Sequence, residues 1–122
     1  MAQQRFPGRI YHVHNAAITT IRSEPGEVEA VANRVVQMCN ASRGPLTVMV
    51  PLGGFSAFDR MGGPFYDPEA SRLFAEVTKR NLKPGVPLHL LPHHVNDPEF
   101  ADAVVKALED LLTKPGDING RA

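Results

Sequence analysis

The stretch LTVMVPLGGFSAFDRMGGPFYDPEA, Leu46 to Ala70, joins a short apolar run to a long loop and then to a helix start. Leu46-Thr47-Val48-Met49-Val50 is almost wholly apolar and is bounded by Pro45 and Pro51, the pattern of a strand covered on both faces in a parallel sheet. At the other end, Asp67-Pro68-Glu69 supplies a cap, a proline at the first helical position and an acidic first turn, which together start a helix. Ala70, Leu73, Phe74 and Val77 form its apolar stripe, and Lys83-Pro84-Gly85 stops it.

The same unit follows at once. Val86 to Leu91 reads as a second strand, Pro92-His93-His94-Val95-Asn96 as its loop, and Asp97-Pro98-Glu99 as the start of a second helix. Ala101, Val104, Val105, Leu108, Leu111 and Leu112 predict a wide buried face there, with a stop at Lys114-Pro115-Gly116. Strands alternating with helices imply right-handed crossovers and a parallel sheet. The expected fold is therefore α/β: a small parallel-sheet three-layer domain built from repeated strand-loop-helix units.

Upstream, RIYHVH and AITTIR flank Asn15 and suit one or two short strands. Ser23 is the expected N-cap of a helix carrying Pro25 in its first turn. Val28, Val31, Ala32, Val35, Met38 and Cys39 are its expected buried face, and Ser42-Arg43-Gly44-Pro45 its end. Residues 1–8 are polar with Pro7 and Gly8 and read as a flexible arm, 9–114 as one α/β domain and 115–122 as a tail. At 122 residues the chain fits one hydrophobic core.

The charges balance, 13 basic against 13 acidic, so no global field draws in nucleic acid or an anionic membrane, and neither is an expected partner. Cys39 is the single cysteine. It cannot form an intrachain disulfide, it has no basic neighbour to activate it, and it reads as a core thiol in a reducing, cytoplasmic setting. No apolar run approaches the ~20 residues that span a bilayer, and MAQQRFPGRI lacks a signal-peptide core.

Ligands of open parallel sheets collect outside the carboxyl ends of the strands, which places Pro51–Tyr66 and the PHHVN loop at one edge. Loops longer than ~12–15 residues in a compact domain are usually functional or disordered, and Phe55, Phe58, Phe65 and Tyr66 argue against disorder by tacking this one down. Gly53-Gly54 and Gly62-Gly63 let backbone amides approach a ligand. Because Asp67 and Asp97 cap the helix starts, an anion is expected on Gly53 to Ser56, with Arg22 as a possible phosphate partner. Asp59 suits a sugar hydroxyl, a Mg²⁺-bound water or proton transfer with His14 or His94. His12 and His14 share one face of a strand, and with a carboxylate such as Asp59 can hold Zn²⁺. Ser56, His94 and Asp97 can be drawn as a triad, but there is no G-x-S-x-G elbow and Asp97 is better explained as a cap.

His14-Asn15, Thr19 to Arg22, PLGGFSAFDRMGGPFYDPEA and HHVNDPEFADAV resemble the C-terminal part of an uncharacterised bacterial, fungal and plant family. It includes the tomato mosaic virus resistance protein and carries the label ATP-binding domain. The resemblance covers about Arg9 to Leu112, one of two α/β domains in longer family members. It implies ATP or a similar nucleotide at an interdomain cleft, to which this half contributes His14, Asn15, Gly53, Gly54, Ser56 and Asp59. The expected function is a ligand-binding half-domain that works with the family's N-terminal domain, fused or separate. The alternatives are a hydrolase or lyase subunit using Asp59 and His14 or His94, with or without a metal, and a protein-interaction module. Uncovered sheet edges add the expectation of a homo-oligomer.

Overall fold

Two parallel strands organise the computed structural model, which describes residues 2–113. The expected strands form in shortened versions, β3 at Val48–Pro51 and β4 at Leu88–Leu91, paired in parallel with Val48 opposite Leu88 and Pro51 opposite Leu91. Between them runs α3, Pro68–Asn81. Asp67 caps it as its sequence demands, its side chain accepting from the Ala70 N–H.

A second, antiparallel pair is built from the upstream segment: β1, Tyr11–Val13, and β2, Thr19–Ile21. Asn15 closes the hairpin, because its Oδ1 accepts from the N–H groups of both Ala17 and Ile18 at 2.9 Å, the asparagine turn chemistry that favours this residue between strands. The expected arm holds one helical turn, α1, Ala2–Arg5. Beside it the guanidinium groups of Arg5 and Arg9 lie over the ring of Phe6, a cation–π contact that gives this segment something to pack on.

The helix α2, Pro25–Ala41, begins one residue later than expected, with Glu24 at the N-cap in place of Ser23. The reason lies three residues on. The Glu27 carboxylate accepts from the Glu24 N–H at 2.9 Å, and Arg9 pairs with both glutamates while donating to the Arg22 carbonyl. That backbone bond first, and then the Arg9 charge, hold the Glu27 carboxyl below its ordinary range.

Ala32 and Val36 are the buried residues of α2, whereas Val31 and Met38, expected on the same face, are exposed. The helix packs mainly on α3, which presents Ser71, Ala75, Val77 and Thr78 as its buried residues. Small side chains on both helices let the backbones approach closely, so the buried stripe is narrower than the apolar one. Asparagines complete the join: Asn81 Nδ2–H donates to Asn33, Asn40 Nδ2–H to the Asn81 carbonyl, and the Lys83 N–H to Asn40 Oδ1.

Strand alternation assigns the layers. Leu52 and Leu90 lie with Ala75, Glu76 and Lys79 of α3, while Met49, His89 and Leu91 face the last helix, α4, Pro98–Thr113. Helices thus flank both faces of the parallel pair without fully covering them. On α4, however, the expected buried face is not buried. Ala103, Ala107 and Leu111 turn toward the sheet across an open cavity of about 590 Å³. Val104 is 41% exposed and Leu112 61%, with Val105 and Leu108 between these values. The apolar stripe is wider than the surface this chain offers it. The expected stop at Lys114-Pro115-Gly116 and the tail lie outside the described residues.

Candidate functional site

Beyond the strand ends the two loops continue the pairing. The Leu52 N–H donates to the Leu91 carbonyl at 2.8 Å, Gly53 N–H to His93 at 2.9 Å and Val95 N–H to Gly54 at 3.0 Å. Glycine is required at both crossing points. A Cβ on Gly53 would sit 2.6 Å from the His94 nitrogen, and one on Gly54, whose φ is +128°, 1.9 Å from the Asp59 carbonyl oxygen. The glycines therefore serve close loop–loop approach. Their amides are spoken for: Gly53 donates to His93, Gly54 to Pro51, and Phe55 to Asp59 Oδ2. The N–H groups of Ser56, Ala57 and Phe58 have no partner among the described residues.

Asp59 is 4% exposed. Its Oδ1 accepts from the Asp67 N–H at 3.1 Å and its Oδ2 from Phe55 at 3.4 Å, and Arg22 Nη2 lies 3.6 Å from Oδ2. Both carboxylate oxygens are thus engaged by the loop that Asp59 organises. His94, 6% exposed, is equally committed: Nε2–H donates to the Ser56 carbonyl at 2.8 Å, while Nδ1 accepts from the Asn96 N–H and from Arg60, each at 3.1 Å. Two donors facing Nδ1 keep the ring hydrogen on Nε2. Asp97 Oδ2 accepts from the His94 N–H at 2.9 Å, a bond back into the loop, whereas the sequence predicts its carboxylate on the amides of the helix start; the helix-side bonds from Phe100 and Ala101 go to the Asp97 backbone carbonyl.

His12 and His14 pack on the ring of Phe58, with centroids 4.4 and 5.8 Å away, and Phe58 in turn meets Phe65 edge-on. Phe58 and Phe65, with Phe55 on the ring of Phe74, pin the loop as expected, whereas Tyr66 is exposed. Among the described residues no three His, Cys, Asp or Glu side chains gather to hold a metal ion. Asn15 remains at the hairpin tip, its Oδ1 used by the turn.

Arg22, Ser56 and Asp59 do come together, lining a cavity of about 240 Å³ with Ser23, Glu27, Ser71 and the rings of Phe55 and Phe74. Arg22 Nε is buried with no hydrogen-bond partner among the described residues. Ser23, Ser71, Phe74 and the Arg60–His94 contact were not legible as site features, because each reaches the loop only through helix packing or loop crossing.

Residues 1–112 match the uncharacterised protein family (UPF0261) C-terminal domain. The chain belongs to this family. It is 36% identical over 110 residues to a UPF0261 protein of Rhizobium meliloti, covering 88% of this chain and 28% of that protein. To a UPF0261 protein of Mesorhizobium japonicum it is 35% identical over 108 residues, 87% of this chain and 27% of the relative. The tomato mosaic virus resistance protein Tm-1(GCR237) of Solanum lycopersicum is 32% identical over 111 residues, 89% of this chain and 15% of that protein. This UPF0261 domain therefore spans about a quarter of the length of the bacterial relatives. Among the described residues no helix is long and apolar enough to cross a membrane.

Proposed function

We infer that this UPF0261 domain forms one wall of a cleft that holds the phosphate or carboxylate end of a nucleotide such as ATP or a related metabolite. The remaining part of the family polypeptide supplies the other wall. One observation carries this reading: the Arg22 side chain lines the cavity together with Ser23, Ser56 and Ser71, and its buried Nε–H has no acceptor among the described residues. A buried unpaired donor is costly, by about 1–3 kcal/mol and more for a charged group, and an oxyanion held against the guanidinium would offset that cost. The nearby carboxylate does not, since Asp59 spends its oxygens on backbone amides and stands 3.6 Å away.

The surroundings suit such a ligand. Ser23, Ser56 and Ser71 line the same cavity and offer hydroxyls, and the open amides of Ser56 to Phe58 begin beside it. At about 240 Å³ the cavity is smaller than the roughly 300–1,000 Å³ that encloses a whole small molecule, as befits half of a cleft. Because Asp59 already accepts from two backbone amides and faces Arg22, and both ring nitrogens of His94 hold partners, binding is favoured over proton transfer by these residues. Calorimetry with ATP and with inorganic phosphate, on this chain alone and mixed with the remaining part of the Rhizobium relative, tests the reading. Affinity that falls about tenfold or more in Arg22→Ala supports it. No heat with either ligand in either mixture ends it.

A further inference from the structure

We propose that the outer edge of β4 is a strand-addition site, completed by a parallel strand from the part of the family polypeptide that this chain does not contain. The hydrogen-bond parity identifies the free groups. Val48 N–H donates to the Pro87 carbonyl at 2.9 Å and Leu52 N–H to Leu91 at 2.8 Å, so the odd-numbered residues of β4 face β3. The N–H and C=O groups of Leu88 and Leu90 consequently point away from it, and no other strand pairs with them among the described residues.

Composition makes this edge unusual. Leu88-His89-Leu90-Leu91 carries no lysine, glutamate or aspartate, and its prolines, Pro87 and Pro92, stand only at the ends, although edge strands are normally guarded along their length by charge, proline or a bulge. Such a run belongs to the interior of a parallel sheet. His89 on one face and Leu90 on the other are both exposed, so the flank of β4 lies open above and below the sheet. The other edge is less inviting. On β3 the outward position at Pro51 has no N–H, and Val50 and Pro51 are already buried, so strand addition is assigned to β4.

The occupant follows from direction and length. A second copy related by a two-fold axis would pair β4 with itself antiparallel, whereas extension of a parallel sheet requires a strand fed by a crossover. The bacterial relatives carry about three quarters of their length outside the matched region, ample for such units. Two-stranded sheets are also marginal by themselves, and most sheets have about 4–6 strands. The exposed apolar stripe of α4 shows the same deficit in a neighbouring layer. This inference shares with the proposed function the remaining polypeptide as partner, but requires no ligand.

Residue-resolved amide exchange without ligand tests it. In this chain alone the His89 and Leu91 amides should be protected while those of Leu88 and Leu90 exchange freely. Adding the remaining part of the Rhizobium relative should protect Leu88 and Leu90, and Leu90→Lys should weaken the complex by about tenfold or more while Met61→Lys, on a side chain 83% exposed, leaves it intact. Protection that instead rises with the concentration of this chain alone would assign the edge to a second copy and overturn the proposal. So would a complex in which Leu88 and Leu90 still exchange freely, or no complex at micromolar concentrations. Failure of nucleotide binding would leave these readouts unaffected.

Discussion

Replacing Asp59 by asparagine keeps the shape of the side chain but removes the charge facing Arg22. The pair is largely buried, and breaking such a pair from one side leaves an uncompensated ion, at a cost of about 3–5 kcal/mol. Because Arg22 keeps some contact with water, Asp59→Asn should fall near 3 kcal/mol in urea unfolding, and Arg22→Leu in the same background should recover part of the loss. Glycine substitutions separate conformation from contact. Gly54→Ala meets both a positive φ and the Asp59 carbonyl and should cost more than about 3 kcal/mol. Gly62→Ala has a φ of +84° with nothing within 4 Å and should cost only about 1–2 kcal/mol; similar thermal shifts for the two would refute the role given to loop crossing.

At the level of elements, the N-terminus of α2 depends on an ionised Glu27. Its carboxyl titrates below the ordinary value of 4.5, so its contribution is complete above that value and disappears as the pH falls through the lowered one. The melting-temperature difference between the parent chain and Glu27→Gln should accordingly be constant at neutral pH and close on acidification below 4.5. Between α2 and α3 the prediction concerns volume: Ala75→Leu adds bulk at a buried position and should destabilise by about 1–3 kcal/mol. The helices and the parallel pair were legible in the sequence because Asp-Pro-Glu starts and proline-bounded apolar runs act locally. Glu24 displaced Ser23 as a cap because Arg9 and Glu27 act together from opposite sides of the hairpin. Ala32 was on the expected face, but its partner Ala75 and the burial of Ser71 and Thr78 were missed, since periodicity marks apolar positions and two closely packed helices select small ones.

For the whole molecule, the placing of the two loops was legible more than their internal bonding. The carboxyl-end rule put Ser56 and Asp59 beyond the strand ends, and Arg22 lines the same cavity, but spacing alone could not reveal the backbone and arginine partners of Asp59 and His94. The last helix teaches the complementary lesson: an apolar stripe predicts burial, without naming the chain that buries it. Leu108→Lys and Leu112→Glu should leave the unfolding midpoint of this chain within about 0.5 kcal/mol of the parent and improve its solubility; a large destabilisation would mean the stripe is packed internally. The bonds between Gly53 and His93 and between Gly54 and Val95 add a mechanical consequence. They rivet both strand ends into a single rim, so if the proposed cleft adjusts to a ligand, the expected moving part is the β1–β2 hairpin, whose tether to that rim includes the Arg22–Asp59 contact.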